Sequence, residues 1–223
     1  MFDLEGTLIK HTTRQSTLIK EGIESQGIKV NYDIEANYSI RSKKEYHSVK
    51  DFIKKILELN NTPQEKEIIG GIIKTYKELR QDPEYLFDLQ YLFEGVKEIL
   101  GEVKKKGIIC VLLTNANSKQ NQFLIEKFDI KKYFDLIVDD SCGLPEKPDP
   151  ARTKFILEKF FIAPQNALIV DDSLAGLESG KVLGVKTCGV LTGNSTREMF
   201  EKEGIDYILQ SVKYLEELFE QSE

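Results

Sequence analysis

The chain of 223 residues has no tryptophan, three cysteines, two histidines and two methionines. Cys110, Cys142 and Cys188 show no C-x-x-C spacing, which argues against a thiolate metal site and against a disulfide-stapled scaffold. Cys110 and Cys188 sit in apolar runs and read as small core residues. His11 and His47 are not spaced with acids as a metal site would require. No apolar run approaches the about 18 residues of a membrane span. Acids occupy the third and fifth positions and no basic segment precedes an apolar stretch, so a secretory signal is absent from the pattern and a cytoplasmic location is expected. An excess of positive charge is missing too: 31 Lys and Arg are interspersed with 37 Asp and Glu, giving a formal charge of -6. Neither nucleic acid nor a membrane is therefore expected as a partner. Internal repeats and low-complexity tracts are also lacking.

What the chain has is alternation. From about residue 85, short apolar runs read as strands: "GIICVLLTN" (107–115), "FDLIVDD" (134–140), "NALIVDD" (166–172), "VKTCGVLTG" (185–193) and "DYILQ" (206–210). Between them, "EGVKEILGEVKKKG", "KQNQFLIEKFDI", "ARTKFILEKFFI" and "SLAGLESGKVLG" carry helical spacing. Strand and helix in turn predict an α/β fold with a doubly wound parallel sheet. Residues 14–83 lack strand signals. Val49, Phe52, Ile53, Ile56 and Leu57, then Ile68, Ile69, Ile72, Ile73, Tyr76 and Leu79, recur at spacings of three and four. Thr62 and Pro63 would open the second of these helices. The expected division is a core of residues 1–13 and 84–223 with a helical insert at 14–83. Monomer and homodimer both stay open.

Ligands of an open parallel sheet bind beyond the carboxyl ends of its strands. Asp3, Glu5, Thr114, Asn115, Asp171 and Asp172 all fall at such ends, and Lys147 lies in the loop "GLPEKPDP" before a helix. Asp3, Asp171 and Asp172 brought together would repel unless protonated or bridged, and oxygen-only ligation suits Mg²⁺. That ion and Lys147 would then hold phosphate oxygens, with Thr114 and helix-start amides completing the cradle. "VDDS" occurs twice, at 138–141 and 170–173. The second copy runs into a helix-like segment of small residues and the first into a turn. The metal is therefore assigned to Asp171 and Asp172, with Asp139 and Asp140 as loop acids.

"FDLEGTL", "LLTN", "KPDP" and "VDDSLAGLESGKVLGVKTCGVLTG", in this order, resemble the four motifs of the haloacid dehalogenase superfamily. The insert resembles the helical cap of one large subgroup, and the closest likeness is to the branch holding phosphoglycolate phosphatase and β-phosphoglucomutase. The resemblance implies a Mg²⁺-dependent phosphomonoester hydrolase of small phosphorylated metabolites. Asp3 would be the nucleophile and form an aspartyl-phosphate. Glu5 would be the general acid and base, and its backbone carbonyl would join Asp3, Asp171 and Asp172 at the metal. Thr114, Asn115 and Lys147 would bind the phosphoryl group. Arg14, which follows soon after the first motif, is the expected substrate contact among the cationic groups of the insert; His11, Arg41, Lys43, Lys44 and His47 are the others.

Three departures qualify the resemblance. Glu5 stands where phosphatases of the family place a second aspartate. Its retained acid argues against dehalogenation, while its extra methylene leaves open a weakened binding or regulatory protein. Only Met1 and Phe2 precede Asp3, fewer strand residues than is usual, so a few native residues before Met1 are expected. Gly176 stands where many phosphatases of the family carry a further aspartate, as in the β-phosphoglucomutase branch, which keeps a phosphomutase as an alternative.

Overall fold

The computed structural model describes residues 1–10, 14–30, 48–81, 90–193 and 195–220, and of residues 14–16, 80, 81, 120 and 220 the backbone alone. Two compact units result, one of residues 12–90 and one of Met1–His11 with Tyr91–Glu223.

The first unit is helical where it is described: α1 (Arg14–Glu24), α2 (Val49–Leu59) and α3 (Lys66–Gln81). Each presents an apolar stripe to a shared core, with Leu18, Ile19 and Ile23 of α1 meeting Phe52, Ile53 and Ile56 of α2 and Ile69, Ile72 and Tyr76 of α3. Ser48 caps α2: its hydroxyl accepts from the Asp51 amide at 3.1 Å and donates to the Asp51 carboxylate at 2.7 Å. The expected start of α3 differs. The helix begins at Lys66, three residues beyond Pro63, and the Thr62 hydroxyl donates backward to the Asn60 carbonyl at 3.3 Å instead of capping forward.

The second unit follows the strand and helix order of the sequence. It contains α4 (Val96–Lys105), β1 (Val111–Leu113), α5 (Ser118–Lys127), β2 (Leu136–Val138), α6 (Ala151–Phe160), β3 (Leu168–Asp171), α7 (Leu174–Lys181), β4 (Lys186–Val190), α8 (Arg197–Lys202) and β5 (Tyr207–Leu209). β1 pairs with β2, and β3 with β4 and β4 with β5, all parallel. Residues 1–3 stand between β1 and β3, because Phe2 bridges both Leu112 and Val170. The Phe2 amide donates to Val111 at 2.8 Å, Leu113 donates to Phe2 at 2.8 Å, and Asp3 donates to Val170 at 3.0 Å. β1 is buried along its whole length, which explains its unbroken apolar sequence. Cys110 and Cys188 are buried, and burial pushes their thiols up to about 11 and about 12, consistent with inert packing residues. No helix among the described residues is long and apolar enough to cross a membrane.

Candidate active site

Asp3 ends its strand segment beside Val170, and Asp171 ends β3, so both carboxylates emerge at neighbouring carboxyl ends. Lys147 reaches between them from the loop before α6. Its ammonium lies 2.7 Å from Asp3 Oδ1, 2.7 Å from Asp171 Oδ2 and 3.0 Å from the Leu113 carbonyl. An ammonium has three donors, and all three are used here. Both ion pairs are buried. Burial pushes the Asp3 carboxyl up to about 7 against the pull of Lys147, and the Asp171 charge adds to the rise. Burial alone would lower Lys147, but Asp171 and Asp3 together hold it above the ordinary lysine range.

Asp171 is further fixed by Ser173, whose amide and hydroxyl donate to Oδ1 at 2.9 and 2.7 Å. The same hydroxyl accepts from the Gly176 amide at 3.1 Å, capping α7. Asp172 is buried and accepts from the Thr7 hydroxyl at 3.5 Å. Two glycines make room for this pair. A Cβ at Gly176 would fall 1.8 Å from Asp171 Oδ2, and one at Gly193 would fall 2.0 Å from Asp172 Oδ2. Neither position admits any other residue while the acids stay where they are.

Asp3, Asp171 and Asp172 each offer a carboxylate oxygen, and these atoms lie within 4.8 Å of one another. Three hard oxygen donors around one point fit Mg²⁺, whose charge would offset a cluster that one lysine only partly neutralises.

A pocket of about 300 Å³ opens over this cluster, lined by Asp3, Glu5, Thr114, Asn115, Lys147, Asp172 and Ser173 among others. A larger groove of about 600 Å³ lies at the opposite, amino ends of the strands, lined by apolar groups such as Ile108, Ile109 and Phe219. Chemistry decides between them: the smaller pocket holds the convergent acids, hydroxyl and lysine. Thr114 Oγ1 accepts from the Ala116 amide at 3.1 Å, which leaves its proton for another acceptor. Glu5 is half-buried in the pocket wall, at the start of a tight turn in which the Gly6 amide donates to Ile9 at 2.8 Å.

Asn115 has a different duty from the phosphate contact expected of it. Its side chain accepts from the Lys147 amide and donates to the Lys147 carbonyl, both at 2.9 Å. It thus ties the loop after β1 to the loop that carries the lysine. Arg14 is the first residue of α1, in the other unit, and its side chain lies outside the described residues. His11, Arg41, Lys43, Lys44 and His47 also lie outside them.

The twin "VDDS" segments form the same local turn. Asp139 Oδ1 accepts the Ser141 amide and hydroxyl at 3.0 and 2.6 Å, as Asp171 does with Ser173. The paths diverge at the second acid: Asp140 accepts from the Ser118 amide at 2.7 Å and from Asn117 at 2.9 Å, anchoring the start of α5. Only the β3 copy enters the metal-type cluster.

The haloacid dehalogenase-like hydrolase profile matches residues 1–190, and the chain belongs to that family. No curated protein matches it in sequence. Among solved structures it is similar to a predicted phosphoglycolate phosphatase from Haemophilus somnus 129PT, with 19% identity, a TM-score of 0.72 and coverage of 98% of this chain and 96% of that one. It is also similar to a candidate β-phosphoglucomutase from Thermotoga maritima, with 20% identity, a TM-score of 0.71 and coverage of 99% and 97%. A third likeness is to a haloacid dehalogenase family hydrolase from Deinococcus radiodurans R1 holding phosphate and sodium, with 16% identity, a TM-score of 0.74 and coverage of 96% and 91%. At these identities the likeness is one of fold.

Proposed function

We propose that the protein is a Mg²⁺-dependent phosphomonoesterase of small phosphorylated metabolites, working through an aspartyl-phosphate on Asp3. The observation that carries this reading is the Lys147 ammonium held 2.7 Å from both Asp3 and Asp171 in the wall of a pocket that also contains Thr114 and Glu5. Asp3, Asp171, Asp172 and the Glu5 carbonyl would hold Mg²⁺, which supplies positive charge against the phosphoryl oxygens.

Asp3 attacks phosphorus in line, forming a carboxylate-phosphorus bond as the bond to the leaving oxygen breaks. Glu5 donates its proton to that oxygen, so the alcohol departs neutral. Glu5, now ionised, takes a proton from water; the resulting attack on phosphorus restores Asp3 and releases inorganic phosphate. Thr114 donates its hydroxyl proton to a phosphoryl oxygen throughout. Lys147 serves the same group by exchanging one of its three present acceptors for a phosphoryl oxygen, and Leu113, the uncharged one, is the least costly to leave.

Release of inorganic phosphate from p-nitrophenyl phosphate and a panel of sugar and acid phosphates, with and without Mg²⁺, tests the reading. Asp3→Asn is expected to abolish turnover. An Asp3→Asn protein as fast as the parent would show that Asp3 is not the nucleophile.

A further inference from the structure

Arg152 is the largest of the fully buried side chains, at 1% exposure, and it stands in the first turn of α6. Both facts run against ordinary placement. A cation at a helix amino end opposes the helix dipole, and a buried guanidinium is costly unless an anion or a full set of acceptors meets it. Among the described residues no carboxylate lies within ion-pair distance of Arg152. Its partners are uncharged: Nε and Nη2 donate to the Leu144 carbonyl at 3.2 and 3.0 Å, and Nη1 donates to the Thr114 carbonyl at 2.8 Å and reaches Asn115 Oδ1 at 3.5 Å.

Those partners belong to two loops, the one after β1 that carries Thr114 and the one before α6 that carries Lys147. Asn115 joins the same loops from the other side through the Lys147 amide and carbonyl. We infer that Arg152 is a positioning residue for phosphate: its planar fork locks Thr114 and Lys147 into convergence, and its fixed charge lies behind the pocket wall that a phosphate dianion would face. This rests on the phosphatase reading and adds a residue to it. A guanidinium suits the task because its donors diverge in one plane and span carbonyls on separate segments, which an ammonium on one nitrogen does not reproduce. The arginine would then stand as a counter-charge behind the phosphoryl site, with carbonyl oxygens as its solvation.

The test compares the parent with Arg152→Lys and Arg152→Gln, by calorimetric titration with inorganic phosphate at saturating Mg²⁺, by a separate Mg²⁺ titration, and by turnover. Arg152→Gln is expected to weaken phosphate binding at least about 10-fold and to lower kcat, with Mg²⁺ affinity within about 2-fold of the parent, since the metal ligands lie on other segments. Arg152→Lys is expected to fold and to lose about 3-fold or more in phosphate affinity, and it decides the matter if Arg152→Gln does not fold. A folded variant that binds phosphate as the parent does, or one that loses Mg²⁺ and phosphate affinity in parallel, overturns the assignment. A parent that neither binds phosphate nor turns over any ester overturns the phosphatase reading and this inference with it. A parent that does both, beside variants that keep its phosphate affinity, overturns the role of Arg152 alone.

Discussion

Glu5 reaches about one bond further than an aspartate would, and a displacement of about 1 Å can change a rate about 100-fold. Its place in the wall of the pocket, together with Thr114, Lys147 and the acid cluster, favours a site adapted to the longer side chain. Glu5→Asp is therefore expected to lower kcat by up to about 100-fold or leave it similar. A rise from near zero in a steady-state assay would mean that the glutamate had disabled the site. Far from the pocket, Asp206 makes a separate residue-scale case. Burial would raise its carboxyl, but bonds from the Thr187 hydroxyl and amide, both 2.7 Å, outweigh it and leave the group below its ordinary value. A depressed carboxylate contributes stability that is present above its unfolded value and is lost as pH falls through the folded one. Asp206→Asn should therefore cost stability at neutral pH, with the deficit narrowing in acid. Urea unfolding of both proteins at pH 7 and in the acid range reads this directly.

At the scale of elements, the order of strands and helices was legible because their periods differ: continuous apolar runs for β1 and β3, spacings of three and four for α2 and α3. Four strand ends carrying acids, a hydroxyl and a nearby lysine marked one edge of the sheet. Direction was not legible. Asn115 and Thr114 are adjacent in sequence, yet one side chain turns to the Lys147 backbone while the other keeps a proton to give. Arg152 gave a faint signal, a cation in the first turn of a helix, that reads as a solvated surface group until its carbonyl partners are seen. The twin "VDDS" turns show the same limit, since identical local bonding at two strand ends is separated only by what packs beside each. Gly176 is the element-scale test. Its missing Cβ is what allows α7 to start against Asp171, so Gly176→Ala should displace that carboxylate and depress turnover severely. Far-UV circular dichroism of the variant should remain that of the parent, because one alanine favours the helix itself.

For the whole molecule, three buried carboxylates against one ammonium make the unliganded site a source of repulsion within the fold. A divalent cation that binds only the native state raises stability by about 2.7 kcal/mol at 100 times its dissociation constant. For a protein of this size that is a rise of roughly 5–10 °C in Tm. Thermal melts with Mg²⁺ and with EDTA should differ accordingly. Asp172→Asn should melt higher than the parent in EDTA, where one repelling charge is gone, and gain less from Mg²⁺. A parent whose Tm ignores Mg²⁺ at every concentration would exclude the acid cluster as its binding site.

The crowding of Gly176 and Gly193 against the two acids has a counterpart in heredity. Every missense change of a glycine codon adds at least a Cβ, so neither position has a neighbouring amino acid to drift through. In a saturation library selected for turnover, both should return glycine almost alone, a pair of silent columns seventeen residues apart. Position 5, open to the pocket, is where such a library would record variation in what the protein accepts.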